Sequence, residues 1–381
     1  MKKKFVVAPD SFKESMSAKE ACEAMARGIK RVFKDAEIRL VPMADGGEGT
    51  VDSLVDATQG RRIKVEVSGP IPEEKVMAYY GILSDNKTAV IEMAKANGIE
   101  LLSKERRNPL ITSTYGTGEL LKAALDEGVE KIIIGIGGSV TNDGGAGMAE
   151  ALGVKFLDRD GQPIPKGGGS LNLLATIDTS ELDPRIKEIE IEVASDVTNP
   201  LTGEQGASNV FGPQKGATPE MVKQLDSNLK HYAHVIQKDT QIDIEHLPGS
   251  GAAGGLGAGL LAFTNATLRP GIDIVIEINQ LEEQIADADF VFTGEGGMDF
   301  QTKFGKAPYG VAKVAKQYQK PVFACAGYIG KDVDVLYDEG ITSVFGILAK
   351  AESLEEALEN GESNLERTCE NIARILYLTN E

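Results

Sequence analysis

Short apolar runs recur along the chain, and each is released into a polar or glycine-rich turn. Phe5-Val6-Val7-Ala8 meets Pro9-Asp10-Ser11, and residues 38–43 meet Ala44-Asp45-Gly46-Gly47-Glu48-Gly49-Thr50. Residues 132–136 run into Gly137-Gly138, and 189–194 into Ser195-Asp196-Val197-Thr198-Asn199-Pro200. Late in the chain, 290–293 meet Gly294-Glu295-Gly296, and 322–326 meet Gly327. Short runs rich in β-branched and aromatic residues read as buried strands. Helical patterns lie between them. Ser17, with Glu20 three residues on, is a capping-box start for a helix over 18–33. Residues 50–58 and 118–127 also read as helical. Pro308 sits near the start of a helix over 309–318, where a missing N–H costs nothing. This alternation predicts an α/β fold with largely parallel sheet, whose chemistry lies at the strands' carboxyl ends.

The texture changes after Ile63. Ile63-Lys64-Val65-Glu66-Val67 alternates, Gly69-Pro70 turns, and 77–83 and 89–92 give strands separated by Asp85-Asn86. That pattern predicts antiparallel or mixed sheet. βαβ texture returns near Leu281. The expectation is two α/β domains: a Rossmann-like parallel-sheet domain split between 1–65 and 285–381, and a mixed-sheet domain inserted over 66–284. A length of 381 residues suits two cores better than one. The tail, 353–378, reads as two surface helices with Gly361 between them.

Composition narrows the function. A net charge of -18 argues against nucleic acid, whose phosphates demand a basic footprint. It also means that any anion site must be built from local amides and a few lysines, against the overall field. The cysteines Cys22, Cys325 and Cys369 have no metal spacing, and their odd count does not suit a disulfide framework. Cys325 reads as a buried structural thiol. The apolar stretch after MKKK is too short for a signal-peptide core, and no run approaches a membrane span, so a cytoplasmic protein is expected. His231, His234 and His246 read as surface residues.

The glycine turns carry the candidate chemistry. No P-loop exists: Gly305-Lys306 is followed by Ala307, where a hydroxyl should hold Mg²⁺. A literal GxGxxG, Gly249 to Gly254, follows a poor strand. It reads either as a tightly packed turn or as amides near Gly251 and Gly254 cradling a phosphate. In GIGGSVTNDGGAGM (135–148), consecutive amides around Gly137 and Gly138 can bind an anion without spending a positive charge. Ser139, Thr141, Asn142 and Asp143 project from that turn, and the last two suggest Mg²⁺ or a hydroxyl-bearing ligand. In ADGGEGT, Asp45 and Glu48 stand among Gly46 and Gly47 past a strand, and TGEGGMD repeats the theme with Glu295 and Asp299. Asp10, Asp143, Asp196 and Glu204 also lie beyond strand ends. Carboxylates gathered on one sheet edge need cations. Mg²⁺, Lys13, Lys215 and Lys306 are the ones available. Carboxylates, Mg²⁺, lysines and amide nests are the parts of phosphoryl transfer, and metal-assisted hydrolysis shares many of them.

These motifs resemble the bacterial glycerate kinase family, of the glycerate 2-kinase type. The resemblance rests on VAPDSFK (7–13), ADGGEGT (44–50), Asn108-Pro109, YGTGEL (115–120), GIGGSVTNDGGAGM, DVTNPLTGEQGA (196–207) and VFGPQKGA (210–217). PGSGAAGGLG (248–257), TGEGGMD (293–299) and FGKAPYGVA (304–312) extend it in unbroken order. It implies two α/β domains with the substrate in the cleft between them. It also implies ATP- and Mg²⁺-dependent phosphorylation of D-glycerate to 2-phosphoglycerate, by a monomer or homodimer. From its place just past the 189–194 run, Asp196 is the expected base, with an Asx-turn as its structural alternative and Asp45 and Asp299 as rival bases; Asp45, Lys13 and Lys215 are the other catalytic candidates. Ser11, Asn199 and Gln214 join the turn residues named above, Glu295 and Lys306 in binding, and Asp143 and Asp299 take the metal. Competing readings are a kinase of another small hydroxy acid, a 3-phosphoglycerate-forming kinase, a Mg²⁺ phosphatase and a non-catalytic binding protein. Two positions depart from the family: Glu14, where SFKG is usual, and Gly297, where an arginine is frequent. Either that arginine is dispensable or another cation, Arg269 or Lys303, replaces it.

Overall fold

A computed structural model describes residues 2–378. Its strands run in chain order β1 (Lys4–Val7), β2 (Glu37–Leu40), β3 (Arg61–Ser68), β4 (Lys75–Ile82), β5 (Thr88–Glu92) and β6 (Lys131–Gly135). They continue as β7 (Lys155–Leu157), β8 (Thr176–Asp178), β9 (Glu190–Ala194), β10 (Ala266–Arg269), β11 (Phe290–Met298), β12 (Val322–Ile329) and β13 (Ser343–Gly346). Two compact units result. One comprises Met1–Asp45, Asp52–Gln59 and Pro270–Glu381, the other Gly46–Val51 and Gly60–Arg269. Residues 60–65 therefore lie in the second unit and 270–284 in the first, on opposite sides from the boundaries expected at 65 and 285.

The first unit holds a five-stranded sheet in the order β13-β12-β11-β1-β2, parallel throughout. Phe5 pairs in register with Phe290 and Val7 with Phe292. Counted within the unit this is the doubly wound order 2-1-3-4-5, which reverses between β1 and β11, the point where such sheets place ligands. On one face Phe5, Phe292, Phe323 and Cys325 pack with Met25, Ile29, Leu365 and Cys369 from the helices Ala18–Val32 and Gly361–Leu378. The Ser17–Glu20 capping box forms as its spacing predicts. The last helix is not a surface element: Leu365, Cys369 and Ile372 are buried, and Gly361 is its first residue.

The second unit is built on a mixed sheet in the order β10-β9-β6-β5-β4-β3. β5, β6, β9 and β10 are parallel, while β3 and β4 form the antiparallel hairpin predicted from the 63–92 alternation. Ile132, Ile134, Ile191 and Val193 lie in its core. β7 and β8 pair separately. No helix of the described residues is long and apolar enough to cross a membrane.

Candidate active site

In the first unit the chain continues in ladder register beyond β1: Ala8 N donates to Phe292 O at 2.7 Å and Asp10 N to Gly294 O at 2.8 Å. On the other side Met43 N donates to Pro9 O at 2.9 Å, carrying the segment after β2 along the same edge. Asp10 thus stands at the switch point beside the middle of β11, level with Gly294. Burial first, then repulsion from Asp45 and Glu295, pushes its carboxyl up from 3.8 to about 7. Ser11 N donates to it at 2.6 Å. Glu295 is also raised, chiefly by burial, although Lys306 opposes this from 3.2 Å and Thr302 donates to it at 2.9 Å. Lys13 is exposed, its backbone near Gly296. Asp299 caps a turn by accepting from Gln301 N at 2.8 Å. In the sequence Asp10 is one strand-end acid among several. Its position between two neighbouring strands, which no local pattern encodes, makes it the most perturbed of the set.

In the second unit the two glycine turns abut: a Cβ on Gly135 would come within 2.5 Å of Gly46 O, and one on Gly137 would touch Gly47. Gly137, Gly138 and Glu48 are exposed. Beneath them Lys215 is only 1% exposed. Its ammonium donates to Ser139 Oγ and to Thr141 O, each at 2.7 Å. Burial lowers its pKa from 10.5 to about 7, while Asp143 nearby favours the charge. A lysine in a glycine-rich turn reads as solvated; this one is an internal tie for the 137–141 turn. Thr141 and Asn142 are buried, and Asn142 Nδ2 donates to Ser208 Oγ at 2.9 Å. Asp196, at the carboxyl end of β9, is exposed, as is Gln214. Asn199 Nδ2 donates to Gln205 O at 2.7 Å.

Three assignments change on physical grounds. Asp143 does not offer its carboxylate to a metal. It is buried and accepts from Thr114 N (2.8 Å), Thr114 Oγ1 (2.9 Å), Gly145 N and Gly147 N (3.2 Å each). It pins the start of the helix Tyr115–Asp126 to the 143–147 turn. Asp143→Ala is expected to strand those buried donors and cost about 3 kcal/mol or more. Urea unfolding checks this; an unchanged midpoint contradicts it. Nor do Gly251 and Gly254 form an open phosphate cradle. Gly251 N donates to Asn199 O at 3.0 Å, and Cβ atoms at 251 and 254 would lie 2.1 Å from Pro200 O and 2.0 Å from Thr141 O. Gly254 has φ +68°, so glycine serves packing there. Finally, Arg269 pairs with buried Glu192, which Lys131 also holds at 2.9 Å, and Lys303 lies over the Phe304 ring. Glu14 sits at φ 61°, a conformation in which glycine is at ease.

The profile of the glycerate kinase family matches residues 5–377. The chain belongs to the glycerate kinase family. It is 55% identical over 368 residues to the glycerate kinase of Halalkalibacterium halodurans, covering 97% of each chain. To the glycerate 2-kinase of Escherichia coli K12 it is 53% identical over 375 residues, 98% of each. A crystal structure of a protein described as glycerate kinase 2 from Salmonella typhimurium LT2 superposes with a TM-score of 0.91 at 50% identity. That match covers 100% of this chain and 99% of the other. Family membership at this coverage and the matching fold establish the α/β architecture and place the chain among enzymes.

Proposed function

We propose that the chain transfers the γ-phosphoryl group of ATP to the 2-hydroxyl of D-glycerate, giving 2-phosphoglycerate and ADP. The observation that carries this reading is the set Asp10, Asp45 and Glu295 around the strand-order reversal of the first unit: Asp45 repels the other two, and Lys306, beside Glu295, is the one cation among the causes that shift Asp10 and Glu295. Carboxylates that repel one another in this way are stabilised in their charged forms by a bound cation. Among the described residues no three His, Cys, Asp or Glu side chains could hold a metal ion by themselves. Mg²⁺ takes one or two carboxylates and completes its shell with nucleotide phosphates and water. One or two of Asp10, Asp45 and Glu295 would hold it, and when bound it would neutralise charge on the phosphates.

The chain's own groups supply the remainder. The exposed carboxylate of Asp196 accepts the hydroxyl proton as the new P–O bond forms and the bond to the ADP oxygen breaks. Lys215 fixes the 137–141 turn from below, so that Gly137 and Gly138 present their backbone to an anion. Asp196→Asn keeps an acceptor oxygen in the loop but removes the base. It is expected to cut kcat about 10²- to 10⁴-fold without loss of stability. ADP release in the presence of D-glycerate, set against ATP alone, checks both the activity and the variant. Release that does not depend on glycerate would overturn the kinase reading, and full turnover in the variant would move the base elsewhere.

A further inference from the structure

Tyr328 lies near the end of β12 with 67% of its surface exposed, although strands of a parallel sheet are normally covered on both faces. β11 and β12 run on past the last β13 pair, Ala326 with Gly346, and finish as a two-stranded extension pairing Gly297 with Tyr328 and Met298 with Ile329. A Cβ built on Gly297 would lie 3.7 Å from Tyr328 Cδ1 and within 4 Å of nothing else. Glycine at 297 therefore leaves open one side of a ring that a larger cross-strand neighbour would cover. Side chains alternate along a strand, so Glu295 shares this face with Gly297 and Tyr328. Lys306 Nζ reaches both Glu295 Oε1 at 3.3 Å and Gly297 O at 3.2 Å. Two residues along β11 and one strand across put the Cα of Tyr328 about 8 Å from that of Glu295. Lys331, 85% exposed, follows on the next turn, whose carbonyl accepts from Phe300 N at 3.2 Å. In a chain of net charge -18, an open aromatic ring across from Gly297, whose carbonyl Lys306 reaches, is complementary to a flat base carrying a polyanionic tail.

We propose that Tyr328 is the stacking platform for the adenine base of the phosphoryl donor, so that the first unit holds the nucleotide with its phosphates toward Lys306 and Glu295. The assignment rests on the kinase reading above. Every base has a π-face, and removing one aromatic partner weakens binding about 5- to 150-fold. The test is calorimetric titration of ATP and of inorganic tripolyphosphate, which has no base, into the wild type, Tyr328→Ala, Tyr328→Trp and Gly297→Leu. ATP affinity is expected to fall about tenfold or more in Tyr328→Ala and Gly297→Leu, and to be kept in Tyr328→Trp. Tripolyphosphate affinity and the KM for D-glycerate should not move. Unchanged ATP affinity in Tyr328→Ala, equal losses for both ligands, or a wild type that binds no ATP would each overturn the proposal. A wild type that binds ATP in this pattern but makes no phosphoglycerate would remove the reaction and leave the platform standing.

Discussion

Asp10→Asn is expected to gain thermal stability at pH 8 while losing most of its turnover. The sign follows from the raised pKa. A carboxyl titrating near 3.8 in the unfolded chain and about 7 in the folded one is neutral in both states below pH 3.8. Between these values folding must take up a proton or bury a charge, so stability falls as pH rises, and above pH 7 the full cost persists. That cost is on the order of 2–4 kcal/mol. Asparagine keeps the acceptor oxygen for Ser11 N and removes the repulsion with Asp45 and Glu295. The melting temperature in EDTA should therefore exceed the wild type's at pH 8 and converge with it toward pH 4. Turnover with Mg²⁺ and ATP should fall at least 100-fold, because the carboxylate set loses the member at the strand-order reversal. A variant less stable at pH 8, or fully active, would remove Asp10 from this role. Stability given up at a functional carboxylate is a recurrent trade.

Lys215→Met has the second large effect, through position. The lysine is charged in both states below pH 7 and neutral in both above 10.5, so burying it costs most at low pH. Wild-type stability should therefore gain from this group as pH rises from 7 to 10.5, and the variant should lack that slope. Methionine fills the space but leaves Ser139 Oγ and Thr141 O without their donor. A turn displaced by an ångström costs about 100-fold in rate. The expected result is a kcat reduced about 100-fold with a smaller change in the KM for ATP. Lys215→Arg should not rescue it, since the 1% exposure leaves no room for a guanidinium. A variant impaired only in ATP KM would make Lys215 a phosphate contact instead.

How much the sequence reveals depends on whether the cause is local. The strand ends were legible because each apolar run breaks into glycine and acid, and the Ser17 capping box is a contact three residues long. The mixed sheet was legible from the alternation of Ile63, Val65 and Val67. Asp143 was misread because a carboxylate among glycines looks the same whether it binds a cation or backbone. Its partner Thr114 is 29 residues away. Lys215 owes its burial to Ser139 and Thr141, more than 70 residues earlier. The perturbation of Asp10 arises first from its burial and then from repulsion by Asp45 and Glu295, brought to it by β2 and β11 and not by any motif. Gly251 and Gly254 fit a phosphate fingerprint in one dimension, and only the carbonyls of Pro200 and Thr141 show that they serve packing.

Phosphorus NMR of the product formed from ATP, Mg²⁺ and D-glycerate tests the central claim most directly. The account predicts ADP together with phosphate on C2 of glycerate. Phosphate on C3 would contradict the position, and free phosphate without phosphoglycerate would contradict the kinase itself.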